Sequence, residues 1–352
     1  MQLPVAEKII DFMFAHSEEH EVVDIGFFGG EPLLEFDLVQ KITQRIMEHA
    51  LYAQRRVTLS IVTNGTLFTR EIAEFLIKHK IVLCMSCDGS PQVQDRFRRY
   101  ADGRGSSEAV LRTIVMATEL LPLVLVNAVY RPETLEELPE TVDFLSLLGL
   151  RQIYLNPDVS AAWKQQDADK LPEVYGRIGR QFADYYRKND PHFISLIDSK
   201  IAVILRRGYQ KEERCQMGSR EMAFSPEGNV YPCERLVGQG TGGRHCIGNI
   251  EKGLPDLPRV CFATDPGQEA ESECSACGVR EYCMNWCGCS NYLSTGKYNR
   301  VSPFLCASEK ASIGAAFDAF RALQEEFGGV FAEHLAGMPS MSSRIGRIKE
   351  VI

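Results

Sequence analysis

The chain has 352 residues, a mass of 39.5 kDa and 45% hydrophobic residues, enough for one large domain with a core and a smaller domain beside it. Its net charge of -8, from 39 basic and 47 acidic residues, argues against nucleic acid or an anionic membrane as the main partner. No apolar run approaches the roughly 20 residues that span a bilayer. The acidic start is unlike a signal peptide, so we expect a cytoplasmic protein.

The first 160 residues alternate amphipathic helical patterns with apolar strand patterns. Helices are predicted over residues 4–16, 37–50, 69–79, 107–120 and 134–148. Strands are predicted over residues 22–28, 56–63, 81–86, 123–130 and 152–156. Strands that alternate with helices in this way pair in parallel, so we predict an α/β fold that forms a (β/α) barrel or a part of one.

Polar residues recur at the carboxyl ends of the predicted strands, namely Glu31, Asn64, Asp88 and Asn156. Asn and Asp also simply make the turns that follow strands, and each residue alone is as well explained by a turn. Their recurrence on several strands favours a functional site, because chemistry in β/α barrels lies at this edge.

The third predicted strand has two faces of different character. Cys84, Ser86 and Asp88 share one face, while Met85 and Cys87 share the other, and one of these faces must line the barrel interior. Cys84 and Cys87 are predicted to be core thiols, because free cysteine is readily buried.

The second half of the chain changes character. Residues 168–207 are predicted to be helical, and residues 222–232 carry a hairpin signal with Gly228 near its turn. A closing helix is predicted over residues 307–334. We therefore divide the chain into a barrel-like domain (1–205), a cysteine-rich domain (206–310) and a carboxyl-terminal helix and tail (311–352).

Seven of the twelve cysteines follow an ordered spacing. Thiolates at short spacings can bind one metal centre, and sulfur ligands select zinc, copper(I) or iron–sulfur clusters. A structural zinc ribbon would use two C-x-x-C pairs, whereas this chain has one such pair with wider gaps and distant partners. Twelve cysteines are also too dilute for a disulfide-stabilised mini-domain. The seven cysteines are Cys215, Cys233, Cys274, Cys277, Cys283, Cys287 and Cys306.

This ordered set resembles the SPASM extension of radical S-adenosylmethionine enzymes, which holds two auxiliary [4Fe–4S] clusters. The resemblance implies that Cys215, Cys233 and Cys287 bind the first cluster. It implies that the second is bound by the four remaining cysteines: Cys274, Cys277, Cys283 and Cys306. It also implies a reducing, cytoplasmic compartment.

The fourth ligand of the first cluster is open. Sulfatase-maturating members of the family have an extra cysteine a few residues after the first, where this chain reads Gln216 to Glu221 without cysteine. Cys246, Cys261 or Cys289 could supply the ligand, or the iron could keep an open position for a substrate group. Glu234 stands where these relatives have a catalytic aspartate, which implies a proton-accepting role.

The first half resembles the same family. Gly29, Gly30 and Glu31 match the glycine-glycine-glutamate-proline segment that binds the amino group of S-adenosylmethionine, and two glycines with an anion suit that task. In the peptide-modifying branch, the residues corresponding to Ser86 and Arg98 contact the cofactor. Asn64 is added as a cofactor-binding candidate from its place at a strand end. The alternative for Arg98 is a solvated loop charge.

The defining C-x-x-x-C-x-x-C signature of the family would precede the Gly-Gly-Glu-Pro segment, yet residues 1–30 contain no cysteine. We expect a partial (β/α)6 barrel without its first strand and a chain that does not cleave S-adenosylmethionine. A late start codon, a deliberate fragment and a degenerate protein are the three explanations, and we favour the first two.

The leading hypothesis is a radical S-adenosylmethionine, SPASM-type oxidoreductase that modifies a peptide or protein side chain. Its implied cofactors are S-adenosylmethionine and two auxiliary [4Fe–4S] clusters, and an electron donor such as flavodoxin or ferredoxin is an implied partner. The rival hypothesis is a non-catalytic iron–sulfur or electron-transfer protein. A zinc-stabilised scaffold is the third.

Overall fold

The structure is a computed structural model that describes residues 1–210, 213, 215–238, 243–254, 272–284, 287–329 and 331. Cys261 and the predicted tail after residue 331 lie outside the described residues. No helix in the described part of the chain is both long and apolar enough to cross a membrane.

Six strands form the main sheet in sequential order, and the printed pairings β1–β2, β3–β4, β4–β5 and β5–β6 are all parallel. The prediction of parallel βα units in an α/β fold is confirmed. The strands are β1 (Val22–Phe27), β2 (Arg56–Thr63), β3 (Ile81–Ser86), β4 (Val124–Tyr130), β5 (Gln152–Pro157) and β6 (Phe193–Ile194).

The helices follow the predicted amphipathic patterns, and local capping explains where several begin. The Thr69 hydroxyl accepts a hydrogen bond from the Ile72 N–H (3.3 Å), and the Ser302 hydroxyl accepts one from the Leu305 N–H (3.2 Å). In the described residues the helices are α1 (Leu3–Ala15), α2 (Phe36–Glu48), α3 (Arg70–His79), α4 (Pro91–Phe97), α5 (Ser107–Leu120), α6 (Leu138–Leu147), α7 (Gln165–Arg187), α8 (Ser195–Leu205), α9 (Ser272–Ser275), α10 (Gly288–Thr295) and α11 (Pro303–Phe327).

Three details differ from the sequence prediction. The span 168–207 is not wholly helical, because the two-residue strand β6 separates α7 from α8. Helix α4 was not predicted, since its seven residues are too few to show a clear period. Helix α11 begins at Pro303 rather than residue 307, because Ser302 caps it and proline suits the first turn. Cys306 therefore lies in the first turn of α11.

A small antiparallel sheet follows the main sheet in sequence. It contains β7 (Ala223–Phe224), β8 (Asn229–Tyr231) and β9 (Gly248–Asn249) in that order, and β7 with β8 confirms the predicted hairpin. Gly228 makes the turn at φ +79°, a left-handed conformation that glycine adopts without strain.

The described chain divides into two compact units. The first unit contains Met1–Ile61, Gln210–Ala276 and Trp286–Val301. The second contains Val62–Tyr209, Cys277–Asn285 and Ser302–Ile352. The linear domain boundaries at residues 205 and 310 stay a prediction.

Helices α7 and α11 of the second unit pack closely, since a Cβ atom at Gly179 would lie 3.0 Å from the Ala315 carbonyl oxygen. Beside them lies a buried ion pair. The Lys200 ammonium lies 2.6 Å from the Glu309 carboxylate, and the side chains are only 4% and 15% exposed. Lys200 also donates to the Tyr282 carbonyl oxygen (3.2 Å), and the Met284 N–H donates to Glu309 (2.5 Å). Helices α8 and α11 thus hold the segment around Cys283.

Replacing Lys200 with Met is expected to lower the free energy of unfolding by about 3–5 kcal/mol, because Glu309 would remain buried without its partner. The matched control is Lys170→Met, since Lys170 pairs with Glu136 at the surface, where the two side chains are 45% and 68% exposed. That change is expected to cost about 1 kcal/mol or less. Urea unfolding followed by circular dichroism measures both, and equal small losses would contradict the prediction.

Candidate functional site

Strands β3, β4 and β5 present one fully buried face and one half-buried face. Met85 on β3, Val126 on β4 and Ile153 on β5 are completely buried. The alternate residues, including Cys84 and Ser86 on β3, are only partly buried. Because side chains alternate along a strand, the sheet here has one core face and one face that is only partly buried.

A row of polar side chains lies on the half-buried face near the carboxyl ends of these strands. Ser86 is opposite Asn127 in the register of β3 and β4. The Asn156 side-chain amide donates to the Asn127 side-chain oxygen at 2.7 Å. The row therefore joins predicted site residues Ser86 and Asn156 through Asn127, which the sequence analysis did not single out.

Cys84 in β3 and Cys87 directly after it lie on opposite faces of the strand and differ in burial. Cys87 is completely buried, and burial raises the pKa of its thiol to about 11. Cys84 is half-buried on the same face as Ser86, and burial raises its thiol pKa to about 12. Both thiols are therefore neutral at physiological pH. Cys87 is a core thiol as predicted, whereas Cys84 is only partly buried, so its prediction as a core thiol is wrong.

Asp88 and Arg98 form a tight ion pair just after β3. The guanidinium donates to the carboxylate twice, from Nε at 2.6 Å and from Nη2 at 3.0 Å. The Asp88 side chain is 5% exposed and the Arg98 side chain 30%, so Arg98 is not the freely solvated charge of the alternative interpretation. Two of its five N–H donors are engaged, which leaves donors for a second carboxylate.

Asn64 makes the turn after β2. Its side-chain oxygen accepts hydrogen bonds from the Thr66 N–H (2.9 Å) and the Thr66 hydroxyl (2.8 Å). Gly65 follows at φ +78°, and a Cβ atom there would lie 2.3 Å from the Met85 side chain. The turn thus accounts for Asn64 structurally, as the turn alternative anticipates.

The Gly-Gly-Glu-Pro segment lies in the first unit, directly after β1. Gly29 has φ +142°, a conformation that residues with a side chain rarely adopt. No heavy atom lies within 4 Å of the position a Cβ atom would take at Gly29 or Gly30. The Glu31 carboxylate accepts a hydrogen bond from the Leu33 N–H at 3.1 Å and caps the short helix Pro32–Glu35.

Four thiols of the first unit gather around one apolar cluster that includes Val230 and Ile247. Cys233 and Cys289 are buried in this cluster, and Cys215 and Cys287 pack against it. The Cys287 and Cys289 sulfur atoms are 3.4 Å apart, and Cys233 is a hydrogen-bonding neighbour of Cys289. Burial raises the pKa of Cys215 to about 12. This gathering of sulfur donors fits an iron–sulfur group, whose binding requires the thiols to lose their protons.

The four cysteines implied for the second cluster are divided between the two units. Cys274 lies in α9 of the first unit. Cys277, Cys283 and Cys306 belong to the second unit. Burial raises the pKa of the Tyr209 hydroxyl, and the nearby Cys283 thiol adds a smaller increase. Among the described residues, no three His, Cys, Asp or Glu side chains are already placed to hold a single metal ion, and this includes the thiols around the apolar cluster, which would have to rotate to bind an iron–sulfur group. The ligand assignments stay predictions.

Glu234 follows Cys233 and begins a short helical turn. Its carboxylate accepts a hydrogen bond from the Cys233 thiol at 3.2 Å and is 38% exposed. A second carboxylate, Glu221, is nearby. Partial desolvation of its carboxyl group, together with the negative charges of Glu234 and Asp24, raises the pKa of Glu221 to about 7, although the residue as a whole is exposed.

Sequence reasoning missed Asn127, Glu221 and the pair formed by Asp158 and Arg131. Arg131 Nη2 lies 2.8 Å from the Asp158 carboxylate, which is 16% exposed. Asp158 directly follows β5, so the rule that selected residues at strand ends could have found it. Glu221 had no such signal, because its neighbours are distant in sequence.

The amino-terminal part of the chain matches a known protein family. Residues 2–145 match the model of the Radical SAM superfamily. These residues are a radical SAM domain. The match confirms the radical SAM part of the family resemblance, and the parallel six-stranded sheet confirms the α/β fold class. The SPASM part stays a prediction. The radical SAM domain contains α1 to α5 and strands β1 to β4, including Gly29, Glu31 and Ser86.

Curated relatives share part of the chain. The uncharacterized protein MJ0907 of Methanocaldococcus jannaschii is 26% identical over 75% of this chain and 86% of its own. The cysteine-type anaerobic sulfatase-maturating enzyme of Clostridium novyi is 23% identical over 67% and 65% of the two chains. The radical SAM cyclopropyl synthase TigE of Paramaledivibacter caminithermalis is 30% identical over 66% and 47%, so this chain spans about half of TigE.

Solved structures share the fold. Native anSMEcpe with bound AdoMet and the Cp18Cys peptide has a TM-score of 0.73 at 17% identity, covering 93% of this chain and 92% of that one. Streptococcus suis SuiB bound to S-adenosylmethionine has a TM-score of 0.58 at 18% identity, covering 87% and 70%. At such low identity, these likenesses establish the fold alone.

Replacing Asp88 with Asn is expected to lower the free energy of unfolding by about 3 kcal/mol, because Arg98 would lose a nearly buried counter-charge. Glu137→Gln is the matched control. It removes the same charge from the surface pair of Arg96 with Glu137, whose side chains are 40% and 39% exposed, and should cost about 1 kcal/mol or less. Urea unfolding compares the two variants, and equal losses would show that the Asp88 pair is not structurally important.

Proposed function

We propose that the protein is a radical SAM, SPASM-type oxidoreductase that modifies a peptide or protein side chain. The observation that carries the proposal is the polar row on the half-buried face of the sheet, within and next to the radical SAM domain. The gathered thiols of the first unit support the SPASM assignment.

The cofactor-binding residues each offer suitable chemistry. Glu31 provides an anion for the amino group of S-adenosylmethionine, and the open space at Gly29 and Gly30 lets backbone groups approach it. Arg98 keeps donors for its carboxylate after binding Asp88. Ser86 and Asn64 offer neutral polar groups at neighbouring strand ends. When bound, the cofactor supplies the radical that abstracts a substrate hydrogen atom.

The auxiliary clusters would take up an electron from the substrate or bind the substrate directly. Cys215, Cys233 and Cys287 would hold the first cluster, and Cys274, Cys277, Cys283 and Cys306 the second. Glu234 would accept a proton from the substrate, a task that fits a carboxylate that is partly exposed beside the cluster.

A peptide or protein substrate is inferred from the relatives. The first relatives that carry a function in their names include a sulfatase-maturating enzyme, and one similar structure contains a bound peptide. A flavodoxin or ferredoxin would deliver electrons to clusters of this type. We place the reaction in the cytoplasm, because thiolate ligands need a reducing compartment.

A second candidate function is electron transfer without S-adenosylmethionine cleavage. It is favoured by one observation, the gathering of four thiols around one apolar cluster of the first unit. The same gathered thiols would then serve as an electron carrier for a separate partner protein.

Cofactor binding tests the main proposal. Glu31→Gln is expected to weaken S-adenosylmethionine binding about tenfold or more, because a hydrogen bond to a charged group is worth about 1.5–3 kcal/mol. Glutamine keeps an oxygen that can still accept from the Leu33 N–H, so the local turn survives. Glu35→Gln, in the same short helix, is the control and should bind like the unaltered protein. Calorimetry measures both, and equal affinities would argue against a role for Glu31.

Cofactor cleavage separates the two candidate functions. With dithionite, the 352-residue chain used by itself is expected to bind S-adenosylmethionine and to release no 5′-deoxyadenosine, because its residues 1–30 offer no cysteine thiol for the cleaving cluster. A chain extended at its amino end by a C-x-x-x-C-x-x-C loop from a relative should release it. Chromatography of the products decides, and release by the unextended chain would refute the expectation. Failure to bind the cofactor at all would favour the electron-transfer candidate.

A further inference from the structure

The thiol of Cys289 is the feature of the first unit that the function described so far leaves unassigned. Cys289 is 3% exposed and belongs to the same apolar cluster as Cys233. Its sulfur atom lies 3.4 Å from that of Cys287. The cluster therefore gathers a fourth thiol beside the three that the family resemblance assigns to a metal centre.

The local backbone explains how two cysteines separated by one glycine come to share a side. Residues two apart within a helix point about 200° away from each other. Cys287, however, is the residue before α10 and has an extended backbone (φ -70°, ψ 101°), whereas Cys289 lies within the helix. Because Cys287 lies outside the helix, its side chain is free of the helical 200° offset and points toward that of Cys289.

The Cys287 sulfur also has a polar neighbour. The Ser290 hydroxyl lies 3.4 Å from it, in the first turn of the same helix. Hydrogen bonds of this kind to ligand sulfurs orient iron–sulfur ligands and adjust their reduction potentials. Cys287 and the first turn of α10 thus together supply two thiols and a hydroxyl group that supports one of them.

The other candidates for a fourth ligand are engaged elsewhere or lie outside the described residues. The Cys246 thiol donates a hydrogen bond to the Gly248 carbonyl oxygen at 3.0 Å, and Cys246 is not part of the apolar cluster. Cys261 lies outside the described residues. Cys287 and Cys289 are both free thiols, and their sulfur separation is far above the roughly 2.05 Å of a disulfide bond.

We propose that Cys289 is the fourth protein ligand of the first auxiliary iron–sulfur centre, together with Cys215, Cys233 and Cys287. The proposal rests on the proposed function, because it requires that the gathered thiols bind iron and sulfide. The thiols of Cys287 and Cys289 can each bind a different iron of the cluster, because rotation about side-chain single bonds moves their sulfur atoms apart without movement of the backbone.

Complete ligation by the protein has a consequence for the role of this centre. A [4Fe–4S] centre in which each of the four irons binds a cysteine offers a substrate group no open position. Of the two roles considered for the auxiliary centres, substrate binding and electron transfer, this centre keeps only electron transfer.

Metal analysis of single variants tests the proposal after anaerobic cluster reconstitution of the full chain. The unaltered protein and the matched control Cys246→Ala are expected to hold about eight irons with equal acid-labile sulfide. Cys289→Ala and the ligand control Cys233→Ala should each hold about four. Circular dichroism confirms that each variant is folded. If Cys289→Ala fails to fold, Cys289→Ser replaces it, and an altered electron paramagnetic resonance spectrum supports ligation.

Cyanide added to the dithionite-reduced protein tests for an open iron. The spectrum of the unaltered protein should not change, whereas a Cys289→Ala protein that keeps its iron should respond. The proposal is overturned if the unaltered protein responds, or if both Cys289 variants match Cys246→Ala in iron content and spectrum. Zinc without sulfide in the unaltered protein would instead refute the proposed function itself.

Discussion

The second unit depends on one nearly buried carboxylate, that of Asp88. Besides both bonds from Arg98, it accepts the Val129 N–H of β4 at 2.9 Å. The Asp88 main chain is held as well, because its N–H donates to the Gln94 side chain of α4 at 2.8 Å, and its carbonyl oxygen accepts from Thr141 of α6 at 3.5 Å. A charge with so little solvent contact must be paired, so these elements can take few other arrangements.

This constraint determines what β3 can offer a cofactor. Ser86 lies two residues before Asp88, on the face of the strand that is only half-buried. Gly89 follows, and a Cβ atom there would lie 2.6 Å from the Thr141 hydroxyl. The loop after β3 therefore packs tightly against α6, while Ser86 and Arg98 are held at a defined edge. A preorganised edge of this kind binds a ligand without the cost of ordering loose side chains.

The thiols of the first unit show a different kind of organisation. They are held by apolar packing around Val230 and Ile247 rather than by charge pairs. Neutral thiols tolerate such burial well, and a soft metal centre can recruit them when it displaces their protons. The carboxylates of Glu221 and Glu234 lie beside this cluster, so the region combines thiols with carboxylates.

The sequence alone determined most of the helices and strands, because their periods are local. Strands β2 and β3 have the predicted bounds, and the family motifs were visible as short spacings around Glu31 and Cys274. Strand β6 was missed because two residues carry no readable period.

Only the tertiary structure decided which side chains meet. Nothing in the spacing told Cys289 from Cys246, and the loop charge of Arg98 could equally have been solvated. Those outcomes depend on contacts between residues far apart in the chain, and no local pattern encodes them. The sequence therefore specified the elements and the chemistry available, while packing selected the thiol that lies beside Cys287 and the carboxylate that pairs with Arg98.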